Sequence, residues 1–209
     1  MYPLVDIGNS YAHLYKGGEI ITFKHENLFK EYAKSKLYYI NVKHSLKERL
    51  KEMPHWIDLE PYVTLKGAYE GMGIDRKVLL LSRGEGLYID AGSAITIDKY
   101  ENGAFGGGVI LPGISMQKQS YAQISPVLAI EELAPIDLEM LPKESTHSAV
   151  SYGIIAPIIA LVEKINRSNL NVYCCGGDGE LLSYYIKDAH YSNKYIFEGM
   201  QKVMKECRC

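Results

Sequence analysis

The sequence predicts a mixed α/β protein built from two related halves. Two observations carry the prediction. Short apolar, strand-like runs alternate with helix-like patterns along the whole chain, which argues for layered α/β packing. The stretch Val5-Asp6-Ile7-Gly8-Asn9-Ser10, which leads into a second strand, also has an echo at Ile89-Asp90-Ala91-Gly92-Ser93. Each reads as strand, Asp, glycine, hydroxyl or amide residue, strand. The halves are read as 1–82 and 83–209, and 209 residues are enough to bury a sizeable core.

The elements follow in order. Residues 2–7 and 11–15 read as strands, and Gly17-Gly18 turns the chain into a third at 19–24. A short helix is expected at 26–33 and a strand at 37–42. A helix at 45–52 is expected to be capped by Ser45. An apolar stretch at 56–59 precedes Pro61, and a helix opens at Ile74 after three glycines. Strands are expected at 86–89 and 94–100, a turn at Glu101-Asn102-Gly103, and a strand at 109–111 before Pro112-Gly113. The second half is more helical. Val150, Ile154, Ile158, Leu161 and Ile165 fall at helical spacing in a long helix from 147 to 165, with Thr146 as its cap and Pro157 as a bend. A strand at 170–175, a Gly176-Gly177 turn and a helix at 180–186 follow. The last elements read as a strand at 195–197 and a helix at 200–207.

Composition excludes several classes. Lys plus Arg total 23 and Asp plus Glu 25, a net charge of −2, so no global field draws nucleic acid or a membrane. The apolar run 154–162 contains Pro157 and is too short to span a bilayer. No basic segment followed by an apolar stretch opens the chain, and the four Cys do not form a disulfide framework, so a reducing, cytoplasmic setting is expected. Cys207-Arg208-Cys209 is a poor metal match, and the six His show no ligand spacing. The 17 Tyr exceed what a core of this size needs and point to pocket rims or a dimer seam.

Three glycine turns carry chemistry. Asp6-Ile7-Gly8-Asn9-Ser10 reads either as an ordinary hairpin turn or as a phosphate site. In the second reading, backbone N–H groups and the Ser10 hydroxyl meet phosphate oxygens while Asp6 faces a divalent cation. Asp90-Ala91-Gly92-Ser93 repeats that logic, and Gly176-Gly177-Asp178-Gly179 places a third turn at a helix start. Neither a P-loop nor a dinucleotide fingerprint is present. Gly73-Ile74-Asp75-Arg76 is either a helix cap with a surface charge or a working pair. As a pair, Asp75 accepts a proton from an alcohol and Arg76 grips an anionic or amide-bearing substrate.

Taken in order, these segments resemble the type III pantothenate kinases. Asp6 to Ser10 is similar to that family's first phosphate-binding motif, and Gly73 to Arg76 to its substrate and catalytic motif. Asp90 to Ala94, then Gly106 to Gly113, then Ser145-Thr146 and Cys175-Gly176-Gly177 continue the set to about Gly199. The resemblance implies a duplicated ribonuclease H-like fold, that of actin-like ATPases and sugar kinases. It implies phosphorylation of pantothenate by ATP, the first step towards coenzyme A. It also implies a homodimer, a divalent cation such as magnesium, and a monovalent one, potassium or ammonium.

Carried onto this sequence, the resemblance makes Asp75 the base at the pantothenate hydroxyl. Tyr69, Gly73, Ile74, Arg76 and Thr146 become substrate contacts, with Thr146 reaching across the dimer. Asp6, Ile7, Gly8, Asn9, Ser10, Tyr11, Ala12, His13 and Ser93 become the ATP contacts. Asp90 becomes the monovalent-cation ligand, and Asp6 serves the divalent cation, directly or through water. Ser10 and Ser93 stand where threonine is usual, and the stretch between Phe23 and Gly67 is trimmed. The alternatives are a sugar or other small-alcohol kinase of the same superfamily and a non-catalytic regulator on the same fold. A sugar site would gather several Asp, Asn and Glu, whereas pantothenate offers Arg76 a carboxylate. A regulator would have lost one of Asp6, Asp75 or Asp90, and all three are present.

Overall fold

A computed structural model describes residues 2–207; the Arg208-Cys209 end of the cysteine tail lies outside them. The chain folds into two compact units that are not contiguous in sequence. One comprises Met1–Glu85, Asp98–Gly107 and Asn193–Cys209, and the other Gly86–Ile97 and Gly108–Ser192.

The first unit holds a sheet of β1 (Leu4–Ile7), β2 (Ala12–Lys16), β3 (Glu19–Phe23), β4 (Leu37–Asn41) and β5 (Trp56–Asp58), in the order β3-β2-β1-β4-β5. The first three strands form an antiparallel meander, while β4 and β5 add in parallel. Side chains alternate between the faces of β1. Val5 and Ile7 therefore enter a core with Leu14, Leu28, Phe29 and Trp56 under helix α1 (His25–Tyr32). The Phe29 and Trp56 rings stack there at 5.0 Å, and the indole N–H donates to the Tyr32 carbonyl. Asp6 lies on the opposite face of β1. Helices α3 (Ile74–Leu80) and α7 (Tyr195–Cys207) pack against each other, against β4 and β1 respectively.

The second unit carries a sheet of β6 (Gly86–Ala91), β7 (Ala94–Glu101), β8 (Ala104–Pro112), β9 (Val172–Cys175) and β10 (Ala189–Tyr191), in the order β10-β9-β6-β7-β8. The outer ends of β7 and β8 are counted with the first unit. Counted by appearance, both sheets read third, second, first, fourth, fifth. The echo in sequence is thus a duplicated topology, and the expected α/β architecture is found. In both sheets the parallel neighbour of the first strand supports the carboxylate: Asp6 is in register with Ile40, and Asp90 with Cys175. Helices α4 (Ile114–Ile124), α5 (Thr146–Ile165) and α6 (Gly179–Tyr185) complete this unit. Its core joins Leu87, Ile89 and Ile97 to Ile154, Ile158 and Val162 of α5.

Local chemistry corrects several element expectations. Ser145, not Thr146, caps α5: its Oγ accepts from Ser148 N at 3.1 Å, and Thr146 is the first helical residue. Ser45 caps nothing, because a short 3-10 turn at His44–Leu46 feeds helix α2 (Lys47–Lys51). Residues 195–197 are not a strand but the first turn of α7, whose buried positions Phe197, Met200 and Val203 recur at helical spacing. The chain's last strand is instead β10, too short and polar to show in the pattern. Helix α5 runs through Pro157 for 20 residues, long and apolar enough by length and composition to cross a membrane, although one face is buried in the unit's core.

Helices α3 and α7 touch backbone to backbone at Gly199, where a Cβ would stand 2.0 Å from the Val78 carbonyl oxygen. That gap admits no side chain without moving a helix. Gly199→Ala is therefore expected to lower stability by about 1–3 kcal/mol, as overpacking does, measured as a lower midpoint in chemical denaturation. An unchanged midpoint would mean that the two helices separate freely.

Candidate active site

The first glycine turn is braced from behind. Gly8 N donates to the Tyr11 carbonyl at 3.0 Å and closes the turn. His25 Nε2 donates to the Gly8 carbonyl at 2.9 Å, and Lys43 Nζ to the Asn9 carbonyl at 2.6 Å. In a trans peptide the carbonyl and the next N–H point in opposite directions, and no peptide here is cis. The Asn9 and Ser10 N–H groups therefore face away from His25 and Lys43, as an anion-binding turn requires. Behind the turn, Ser10, Tyr11, Lys24, His25, Asn27 and Lys43 line an open recess of about 510 Å³. Ile7 and Ala12 are fully buried, so only their backbone is open to a ligand, whereas Asn9, Ser10 and Tyr11 are exposed. His13 bonds Thr22 Oγ1, and burial pushes its imidazole pKa down.

The second turn is built by close backbone approach. Gly176 has φ +84°, and a Cβ there would lie 2.6 Å from both Asp90 Oδ1 and the Ala91 backbone. A Cβ on Gly113 would lie 2.5 Å from the Gly92 carbonyl oxygen. Asp178 N donates to the Ala91 carbonyl at 2.9 Å. The signature ending at Gly113 and the Cys175-Gly176-Gly177 turn, far apart in sequence, thus close around Asp90 and Ser93. Burial raises the Asp178 carboxyl pKa, with Lys118 opposing the shift. Thr146, also in this unit, is exposed at the start of α5, next to His147, whose Nε2 donates to the Glu132 carbonyl at 2.7 Å.

The densest chemistry lies at the start of α3. Gly73 precedes the helix in extended conformation, and Asp75 Oδ1 accepts from Arg76 N at 2.8 Å. A Cβ on Gly73 would come within 2.5 Å of that same oxygen, so glycine keeps the carboxylate uncovered. Burial drives the Asp75 pKa up, with Asp98 adding to the shift and Arg76 opposing it. Arg76 makes a buried bidentate pair: Nε to Asp98 Oδ2 at 2.8 Å and Nη2 to Asp98 Oδ1 at 2.5 Å. Nη1 donates to the Tyr69 hydroxyl at 2.6 Å, and the Tyr69 and Phe105 rings lie within 6 Å of the guanidinium. Ile74 is buried and offers only its backbone.

The structure thus gathers Tyr69, Gly73, Asp75 and Arg76 in one unit, together with Asp98, which sequence reasoning passed over. Its signal was an acidic residue at the end of the apolar run Ala94 to Ile97. A charge at a position read as core asks for a partner. Arg76, expected to be spent on substrate, commits three of its five N–H groups to protein. Among the described residues, no group of three or more His, Cys, Asp or Glu is placed to hold a metal. The carboxylate oxygens of Asp6 and Asp90 are hard donors of the kind that would suit magnesium or potassium.

Known proteins resemble this chain in sequence and in fold. The family model described as type III pantothenate kinase matches residues 36–168. A type III pantothenate kinase of Campylobacter jejuni is 40% identical over 203 residues, covering 97% of this chain and 96% of that protein. A solved structure from Campylobacter jejuni, assigned to the Baf family of transcriptional activators, superposes with a TM-score of 0.87 at 37% identity. It covers 99% of this chain and 98% of the other. A 2-dehydro-3-deoxygalactonokinase structure from Sinorhizobium meliloti shares the fold alone, at 12% identity, TM-score 0.60 and 99% coverage of both chains. The architecture is that of the actin-like ATPases and sugar kinases. By family model, full-length identity and fold together, the chain belongs to the type III pantothenate kinase family.

Proposed function

We propose that this protein transfers the γ-phosphoryl group of ATP to the primary hydroxyl of pantothenate, the first step of coenzyme A biosynthesis. The observation that carries the site assignment is Asp75. It is a carboxylate made more basic by burial, given room by Gly73 and set beside an immobilised arginine. In the transfer, the hydroxyl oxygen bonds to the γ-phosphorus as the bond to the ADP oxygen breaks. The hydroxyl proton passes to the Asp75 carboxylate. Little covalent work falls to the protein in such a reaction; alignment and charge stabilisation dominate. Asp75 orients the hydroxyl, and Arg76 receives the pantothenate carboxylate, a group that sugar substrates lack.

The Asn9 and Ser10 N–H groups and the Ser93 hydroxyl are the phosphate contacts in this reading. Asp6 would hold magnesium, and Asp90 would hold potassium or ammonium. When bound, these cations neutralise charge on the phosphates. We read the enzyme as a cytoplasmic homodimer. Ile124, Val127, Met140, Leu141 and Tyr184 of one unit are each more than 60% exposed. A second copy would cover such residues.

Four outcomes are expected. Asp75→Asn keeps the side chain's size and removes the base, so kcat for pantothenate should fall by about 10²–10⁴-fold, with pantothenate affinity by calorimetry little changed. Near-wild-type turnover with chemistry rate-limiting would remove Asp75 from this role. Because Asp75 acts ionised and its pKa is raised, the wild-type rate should fall on acidification at a pH above the usual carboxylate range. In potassium buffer the wild type should outpace its sodium-only rate at fixed magnesium, and Asp90→Asn should erase that difference. Equal rates of the wild type in both salts would count against a cation at Asp90. Light scattering of the active enzyme should give twice the chain mass of 23.5 kDa; a monomer at full activity would end the dimer reading.

A further inference from the structure

We propose that Asp98 is a positioning residue for the reaction: by holding the Arg76 guanidinium, with Tyr69 as a second tie, it keeps Arg76 aimed at substrate and off the neighbouring base Asp75. The inference rests on the site assignment above and adds to it a residue that the motif reading did not contain. Asp98 is 1% exposed and Arg76 6%, and their two bonds are in fork geometry. Such a pair confers little stability over apolar residues of the same volume, since burying both charges costs about what their attraction returns. Its position gives it another use. Asp75 and Arg76 are adjacent in the chain and already share a backbone hydrogen bond. An arginine released from Asp98 has the carboxylate of its chain neighbour Asp75 to turn to, and a carboxylate paired with arginine is a weaker base. Held as it is, the guanidinium is neutralised by Asp98 and keeps two N–H groups for a ligand carboxylate, fixed in direction by Asp98 below and the Tyr69 hydroxyl beside it.

The groups facing Asp75 are few. Arg76 and Asp98 are the charges that act on it. From α7, Glu198 is paired with Arg83 at 2.7 Å. From β4, the buried Tyr38 lies on the face opposite Tyr39, whose ring belongs to the core under α1.

Asp98→Asn, which preserves volume, tests the proposal through steady-state kinetics across pH, with ATP and pantothenate varied separately and folding followed by circular dichroism. The expected result is a fall in kcat, and a rise in pantothenate KM of about tenfold, with ATP KM within about twofold. The acid limb of the rate profile should move down by about one pH unit, because the Asp98 charge that raises the Asp75 pKa is gone and because Arg76 then pairs with Asp75; the rise in pantothenate KM is the part that only a misaimed arginine produces. A folded Asp98→Asn enzyme with an unmoved acid limb and both KM values unchanged would overturn the proposal, since a purely structural residue changes only the amount of active protein. If that variant does not fold, Tyr69→Phe decides, because Tyr69 is half-exposed and its hydroxyl is the other tie on Arg76. Pantothenate KM should then rise about fivefold, the size of one hydrogen bond, with ATP KM unaltered; an unaltered pantothenate KM overturns the proposal. Asp75→Asn separates the two readings. If it abolishes turnover while Asp98→Asn leaves the kinetics and acid limb untouched, only the role of Asp98 fails. If it retains turnover, the site assignment itself fails.

Discussion

The buried pair between Arg76 and Asp98 is the interaction on which the working part of the first unit depends. Two opposite charges taken out of water must meet in good geometry, or the fold loses several kcal/mol. That demand fixes where the start of α3 lies against the end of β7. It helps explain why residues 98–107, the end of β7, the turn and the start of β8, belong with the first unit. Neighbouring contacts reinforce it: Phe105 N donates to the Lys66 carbonyl at 2.8 Å, and Asn102 N to Glu85 at 2.8 Å. Asp75, one residue before Arg76, inherits its place from this arrangement. Breaking the pair from either side would leave an uncompensated charge next to the proposed base.

Close backbone approach is the second constraint. Gly73, Gly113, Gly176 and Gly199 are each placed where a Cβ would come within 2.6 Å of another atom. The first three of these contacts surround carboxylates or their turns. The chemistry needs donors and carboxylate oxygens uncovered, and the least bulky residue leaves them so. At Gly176 the positive φ adds a conformational reason, since a side chain there would be strained whatever the space.

The two sheets share one topology, but the units use it differently. In the first, the glycine turn after Asp6 is held from outside by His25 and Lys43, which take the carbonyls and turn the amides the other way. In the second, the turn after Asp90 is held by glycines from two distant segments. The same strand-turn-strand device thus offers N–H groups in one case and a carboxylate among carbonyl oxygens in the other. Hydrogen-bond donors suit an anion, and carboxylate oxygens a cation.

The sequence by itself determined the alternation of strands and helices, the repeat of the two acidic turns, and the candidate residues at Gly73 to Arg76. These are local signals: strand runs, glycines where the chain must turn, and a motif order that survives without three-dimensional information. Caps and short strands were less legible. Ser145 outcompeted Thr146 by one residue because the capping side chain must sit on the last extended residue, not the first helical one. The run at 195–197 matched strand and helix alike until α7 showed which face was buried. Only the tertiary structure decided that Arg76 belongs to Asp98. Twenty-two positions separate them, and no local pattern records which of several carboxylates a buried arginine will find. It likewise decided that Gly113 and Gly176 converge on the turn after β6, because that convergence depends on β8 lying beside β7 and on the parallel pairing of β6 with β9. Pairing between distant strands is set by the packing of the whole sheet, which no short window of sequence contains.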